Sequence, residues 1–207
     1  TYHERFGWVV NIGNDKAFLG KLSILENTVL KIGRRSYISG PAIVRGGCTF
    51  EIGSYCSIAE GLYVNTSRDF HPMNYPSTVN FCENRRLIED GLSMPIEYAE
   101  FEDVKQNVIL GNDVWLGRNV QLSFGSKIGD GCIIGEKSVV RGNCEPYGIY
   151  VGIPAKLVRF RFPESIREQL TEIQWWKWSY EKIKRNQSFF STQLTNYDGQ
   201  ISDIVEN

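Results

Sequence analysis

Residues 109–144 read ILGNDVWLGRNVQLSFGSKIGDGCIIGEKSVVRGNC. Within this stretch Leu110, Leu116, Leu122, Ile128, Ile134 and Val140 fall six apart and are all aliphatic. The positions that follow them are Gly111, Gly117, Ser123, Gly129, Gly135 and Arg141. Four glycines in six slots is far above a background usage of about 7%. A six-residue period fits neither a 3.6-residue helix nor a two-residue strand alternation, but it fits a short strand plus a tight corner, repeated. Three such units close one triangular coil of roughly eighteen residues, and successive coils stack as parallel strands about 4.7–4.9 Å apart. Each aliphatic residue then points into the prism, and the residue after it, usually glycine, takes the corner. A helical bundle would need apolar residues at three- and four-residue spacing, which this stretch lacks.

Working outward, the same phase recurs at Ile32-Gly33, Ile38-Ser39 and Val44, then at Ile52-Gly53, Ile58-Ala59 and Val64-Asn65 after a two-residue slip near Gly46-Gly47. A weaker trace starts at Ile12-Gly13. Between about 65 and 107 the phase fails, which marks an insertion carrying Pro72, Pro76, Pro95, several aromatic residues and His71. Insertions of this length in compact domains commonly serve a site or an interface. From Pro163 the sequence PESIREQLTEIQWWKWSYEKIKRN places Ile166, Leu170, Ile173 and Ile183 near helical spacing, with proline at a favoured first position. One or two helices are expected there, closing the open end of the coil and covering strand edges. The stretch 187–207 is polar and carries no motif. The expected organisation is a coil over 1–162 and a helical cap and tail over 163–207.

The chain has 207 residues, enough for one sizeable core. Its 23 Lys plus Arg against 24 Asp plus Glu give a net charge of -1, so no global basic field holds a nucleic-acid backbone. No apolar run reaches the roughly 18 residues of a membrane span, and no charged segment leads into a cleavable apolar one, so the expected location is the cytoplasm. Five cysteines without a C-x-x-C pair read as reduced, mostly buried residues. The two histidines, His3 and His71, are too few for a zinc site of three histidines, and no metal is expected. One histidine suffices as a general base, since its side chain is the one most readily poised to take a proton near neutral pH.

The segment 109–162, above all NDVWLG at 112–117 and GIPAK at 152–156, resembles the hexapeptide-repeat acyltransferases. The insertion, with His71-Pro72, Tyr75-Pro76-Ser77-Thr78 and Phe81, is similar to the xenobiotic acetyltransferase branch, which holds type B chloramphenicol and streptogramin acetyltransferases. Trp175-Trp176-Lys177-Trp178 followed by Glu181-Lys182-Ile183 resembles that branch's C-terminal helical motif. The resemblance implies an all-β, left-handed parallel β-helix with an inserted loop and a C-terminal helical segment. It implies an acetyl-CoA-dependent O-acetyltransferase acting on a small-molecule or saccharide acceptor, assembled as a homotrimer. In this chain His71 would be the general base, and Asn74 and Tyr75 would meet the acceptor. Trp115, Gly117, Gly135, Lys156, Arg159 and Arg161 would meet the coenzyme. The family histidine is commonly followed by Arg in antibiotic-modifying members, whereas Pro72 follows here, which weighs against an antibiotic acceptor. The rival readings are an antibiotic O-acetyltransferase, an N-acetyltransferase acting on a nucleotide-linked amino sugar, and a non-catalytic β-helix scaffold.

Overall fold

A computed structural model describes residues 8–12, 15–67, 71–96 and 104–206. The coil predicted from the period of six is present as a three-sided β-solenoid. Its first face stacks Asp15–Leu19, Tyr37–Ile38, Ser57–Ile58, Trp115–Leu116, Ile133–Ile134 and Gly148–Gly152, all parallel. The second face stacks Leu22–Ile24, Ala42–Arg45, Leu62–Asn65, Gln121–Leu122 and Val139–Val140. The third stacks Val29–Ile32, Thr49–Ile52, Val108–Leu110, Lys127–Ile128 and Asn143–Cys144. Antiparallel strands finish the first face at both edges, Trp8–Ile12 on Asp15–Leu19 and Ala155–Phe160 on Gly148–Gly152. The trace expected from Ile12 is therefore a hairpin strand rather than a rung, since Ile12 pairs antiparallel with Asp15. Gly13, which completed that trace, and His3 lie outside the described residues.

The predicted aliphatic residues form the core. Ile38, Ile58, Leu116 and Ile134 stack inside the first face, and Val44, Val64, Leu122 and Val140 inside the second. All are buried, and each side chain of this size contributes about 1.5–3 kcal/mol by leaving water. The two-residue spacing that puts Leu116 inside puts Trp115 outside. Coil length varies more than the simple period implies. Leu116 pairs with Ile134, eighteen residues on, but Ile38 pairs with Ile58 and Val44 with Val64, twenty residues on. Ile134 pairs with Tyr150, only sixteen on.

The corners also differ from expectation. The residue after each aliphatic rung is not the one that turns. The left-handed backbone falls two positions later, at Asp113 (φ 55°), Asn119 (φ 55°), Gly125 (φ 71°), Gly131 (φ 66°) and Lys137 (φ 59°). Glycine follows the rung because the next coil leaves no room for a side chain. A Cβ on Gly117 would lie 2.7 Å from the Glu136 backbone nitrogen, and one on Gly129 the same distance from that of Pro146.

The segment after Pro163 forms helices Glu164–Ile173, Tyr180–Arg185 and Gln187–Ser191, with 3-10 turns at Trp175–Lys177 and Ile201–Ile204. Pro163 is the N-cap rather than the first helical residue. These elements do not close the end of the prism but run along its flank, where the third face turns into the first. Arg34 Nη2 donates to the Trp176 and Trp178 carbonyl oxygens, at 2.8 and 2.5 Å, and the Tyr55 and Trp175 rings stand 4.8 Å apart. A second core gathers Tyr147, Ile166, Leu170, Phe189 and Ile201. The tail, to which the sequence assigned nothing, thus supplies two of its buried residues. Tyr150, in the last stacked strand of the first face, belongs to the main core, and its hydroxyl accepts from the Glu145 N–H at 2.8 Å. No described helix is long and apolar enough to cross a membrane.

Candidate active site

The insertion leaves the prism after Leu62–Asn65 and returns at Val108–Leu110, so it interrupts one coil between its second and third faces. Its neck is closed by an antiparallel bridge between Ser67 and Lys105 and by the Gln106 N–H donating to the Thr66 carbonyl. Beyond the neck, local turns carry the backbone. The Tyr75 N–H donates to the Pro72 carbonyl, and the Val79 N–H to Ser77 Oγ. Asn80 Oδ1 accepts from the Cys82 and Glu83 N–H groups, and Asn84 caps the short helix Arg85–Glu89. Such side-chain turns are what Ser and Asn do best outside regular structure.

His71 sits on this loop, exposed, with Nδ1 2.9 Å from the Thr78 carbonyl oxygen. A carbonyl only accepts, so this contact assigns the proton to Nδ1 and leaves the Nε2 lone pair outward. Nε2 makes no hydrogen bond to any described residue. Asn74 and Tyr75 lie on the same turn, both exposed.

A separate groove of about 390 Å³ runs where the first face turns into the second. It gathers Trp115, Gly117, Gly135 and Glu136 with Arg118 and Ile133. Trp115 is 54% exposed and stands between Ser57 and Ile133 of the neighbouring coils. Gly117 and Gly135 present bare backbone beside its indole. Arg118, which sequence reasoning passed over, points its charge here and pairs with Glu60 at 3.2 Å. Its signal was available, as the residue directly after a rung glycine. His71, Asn74 and Tyr75 do not line this groove.

Lys156 adjoins the groove through the terminal hairpin. It pairs with Val151, whose Cγ1 lies 2.7 Å from the position a Cβ on Gly135 would take. Lys156 and Arg159 are exposed, and Arg159 Nη1 donates to the Phe160 carbonyl. Arg161 stands apart from them. Its Nη1 donates to Asp113 Oδ2 at 3.1 Å and to the Gly131 carbonyl at 2.8 Å, so it ties the hairpin to the opposite corner of the prism. The expected cationic trio is in this structure a pair, because a carboxylate distant in sequence holds the third member.

The cysteines serve packing. Burial pushes the thiols of Cys56 and Cys144 up to about 12 and that of Cys132 to about 11, so none is a thiolate near neutral pH. Among the described residues no group of three or more His, Cys, Asp or Glu side chains could hold a metal ion.

Comparison with known proteins bears on this arrangement. The family model "Bacterial transferase hexapeptide (six repeats)" matches residues 107–142. A chloramphenicol acetyltransferase of Klebsiella aerogenes is 34% identical over 190 residues, 82% of this chain and 87% of that one. The chain belongs to the hexapeptide-repeat acetyltransferases. A putative lipopolysaccharide biosynthesis O-acetyl transferase of Escherichia coli is 26% identical over 141 residues, 68% of this chain and 72% of that protein. Among solved structures, a mutant N-acyltransferase from Bacillus cereus in complex with dTDP and coenzyme A shares the fold at 20% identity and a TM-score of 0.52, covering 78% of this chain and 89% of that one. In this acetyltransferase, then, the solenoid carries a groove and the insertion carries an imidazole.

Proposed function

We propose that the acetyltransferase moves the acetyl group of acetyl-CoA to a hydroxyl of a saccharide unit, with His71 as general base. The observation that carries this reading is the Nδ1 contact to the Thr78 carbonyl, which leaves Nε2 free to take a proton. Nε2 accepts the acceptor's hydroxyl proton as its oxygen attacks the thioester carbonyl. The carbon–sulfur bond breaks, the thiolate recovers a proton from the imidazolium, and the acceptor leaves as an ester. Backbone N–H groups at the solenoid surface steady the tetrahedral oxyanion. The groove beside Trp115 leaves space for an extended donor. Lys156 and Arg159 meet its phosphates as charge-assisted donors.

Within one chain His71 does not line the groove, so the site is completed when the insertion of one copy meets the groove of the next, in a closed homotrimer. Reduced cysteines and the acetyl-CoA donor suit a cytoplasmic setting, and all five cysteines are free.

A second reading, an antibiotic hydroxyl as acceptor, is favoured by the 34% identity to a chloramphenicol acetyltransferase. The two are separated by incubating the purified protein with acetyl-CoA and a panel of saccharides, amino-sugar nucleotides and chloramphenicol. Product mass shows which acceptor gained one acetyl group, and mild base cleaves an ester but not an amide. His71→Ala is expected to lower turnover by about 10²–10⁴ with the fold unchanged. Full turnover in that variant removes the proposed base, and no thiol release with any acceptor leaves only a scaffold.

A further inference from the structure

The helical segment meets the solenoid along one edge, and that seam is incompletely packed. A cavity of about 220 Å³ remains, with Asp113 and Arg161 on one wall and Phe162, Trp175, Phe189 and Leu194 among its apolar lining. A cavity of about 150 Å³ with an apolar lining already accommodates benzene, so this one has space for an aromatic ring bearing a small substituent. It is separate from the groove of the proposed reaction. Asp113 lies at the corner before the strand Trp115–Leu116, whereas Gly117 of the groove follows that strand.

The polar end of the cavity is the Arg161 guanidinium. Its Nη1 holds both Asp113 and the Gly131 carbonyl. Its Nε and Nη2 have no hydrogen-bond partner among the described residues. The side chain is 27% exposed, and its guanidinium carbon lies 4.9 Å from the Phe162 ring centre and 5.9 Å from that of Tyr147. A planar fork with N–H groups unused beside aromatic walls is built to receive a carboxylate, which accepts two parallel hydrogen bonds. Asp113 is the anion such a ligand must face. Burial raises its carboxyl above the ordinary range, and the neighbouring Arg161 opposes that shift.

We propose that this cavity binds a small aromatic monocarboxylate, its ring among Phe162, Trp175 and Phe189 and its carboxylate on the open edge of Arg161. The site does not depend on the acetyl-transfer reading, because it is assayed by binding alone.

Benzoate is titrated calorimetrically into the wild-type protein in the presence of saturating coenzyme A. The expected result is one saturable site per chain. Benzyl alcohol, with the same ring and no charge, should bind at least about tenfold more weakly. Leu194→Trp fills the cavity from the tail and should abolish benzoate binding with the helical content of the protein unchanged. Should that variant fail to fold, the wild-type protein still answers: irradiating benzoate protons should transfer saturation to the Trp175 indole, identified by its loss in Trp175→Phe. The proposal is overturned by no saturable binding, by binding that coenzyme A displaces, by benzyl alcohol binding as well as benzoate, by unaltered binding to folded Leu194→Trp, or by no transfer to Trp175.

Discussion

Leu116 and Trp115 are neighbours in sequence, and the fold gives them opposite duties. Leu116 is 0% exposed and packs between Ile58 and Ile134 of the adjoining coils, whereas Trp115 faces outward into the groove. Replacing a core leucine with alanine costs about 2.7–5.0 kcal/mol, the cost growing by about 24 cal/mol per Å³ of cavity that fails to close. Closure is resisted here. Leu116 is spanned by ladder hydrogen bonds, the Ala59 N–H to its carbonyl at 3.0 Å and the Gly117 N–H to the Ile134 carbonyl at 2.8 Å. These hold the coil spacing, so Ile58 and Ile134 cannot settle into the void. Leu116→Ala should therefore cost about 4–5 kcal/mol, near the top of that range and a large part of a typical domain's total stability. Trp115→Ala should change stability by about 1 kcal/mol or less and raise the KM for acetyl-CoA about tenfold or more, since only the groove loses its indole. Urea unfolding at one fixed protein concentration measures the first effect, because stability of an assembly depends on concentration. Steady-state kinetics measures the second. A Leu116→Ala cost below about 1.5 kcal/mol, or an equal cost for Trp115→Ala, would refute the inward and outward placement from which both numbers are worked.

Gly117→Ala brings a Cβ to 2.7 Å from the Glu136 nitrogen and 3.0 Å from its Cα, both backbone atoms of the next coil. It should lower stability by about 1–3 kcal/mol and weaken donor binding together, and an unchanged melting temperature would show that the coils have slack. Arg34→Ala removes two donations to the Trp176 and Trp178 carbonyls, so limited trypsin digestion should cut the helical segment near Lys182–Arg185 faster while leaving the solenoid whole. With the native protein, a disulfide reagent should label Cys48 and Cys82 quickly and Cys56, Cys132 and Cys144 only on unfolding. Those three thiols rise from 9.0 to about 11–12 in the fold, so they stay protonated where the unfolded chain has lost its protons. Their contribution to stability is therefore fully present below about pH 9 and is lost as pH climbs toward 11–12, which urea midpoints between pH 8 and 11 should follow downward.

Of the site, the groove residues on the rungs were legible because rung phase assigns inside and outside: once Leu116 is placed inward, Trp115 must face out and Gly117 must follow the strand. His71 was legible as a candidate base from scarcity of histidine, but the carbonyl that orients it belongs to Thr78, and no spacing rule assigns that contact. Arg161 shows the opposite case. Read along the chain it joins Lys156 and Arg159 in one basic patch, yet in space its partner is Asp113, brought close by the coiling of the intervening residues. The tail past residue 187 looked featureless because Phe189 and Ile201 are spaced too widely to form a periodic face. They are buried by Tyr147 and Leu170, which belong to other elements.

What the chain's order of residues settles by itself is the solenoid's cross-section. A strand and a corner are made by neighbouring residues, so their repeat is written locally, as an aliphatic residue at every sixth position. How long each coil is, where the left-handed corner falls and which flank the helices cover are settled only in three dimensions. Coils of twenty, eighteen and sixteen residues all stack in this protein, because what is held constant is the hydrogen-bonded register between rungs such as Ile38 and Ile58, Leu116 and Ile134, and Ile134 and Tyr150. Extra or missing residues are taken up at the corners, outside the paired rungs. The helices follow the edge lined by Arg34, Tyr55 and Asp113, where distant parts of the chain combine charge and aromatic surface to hold them.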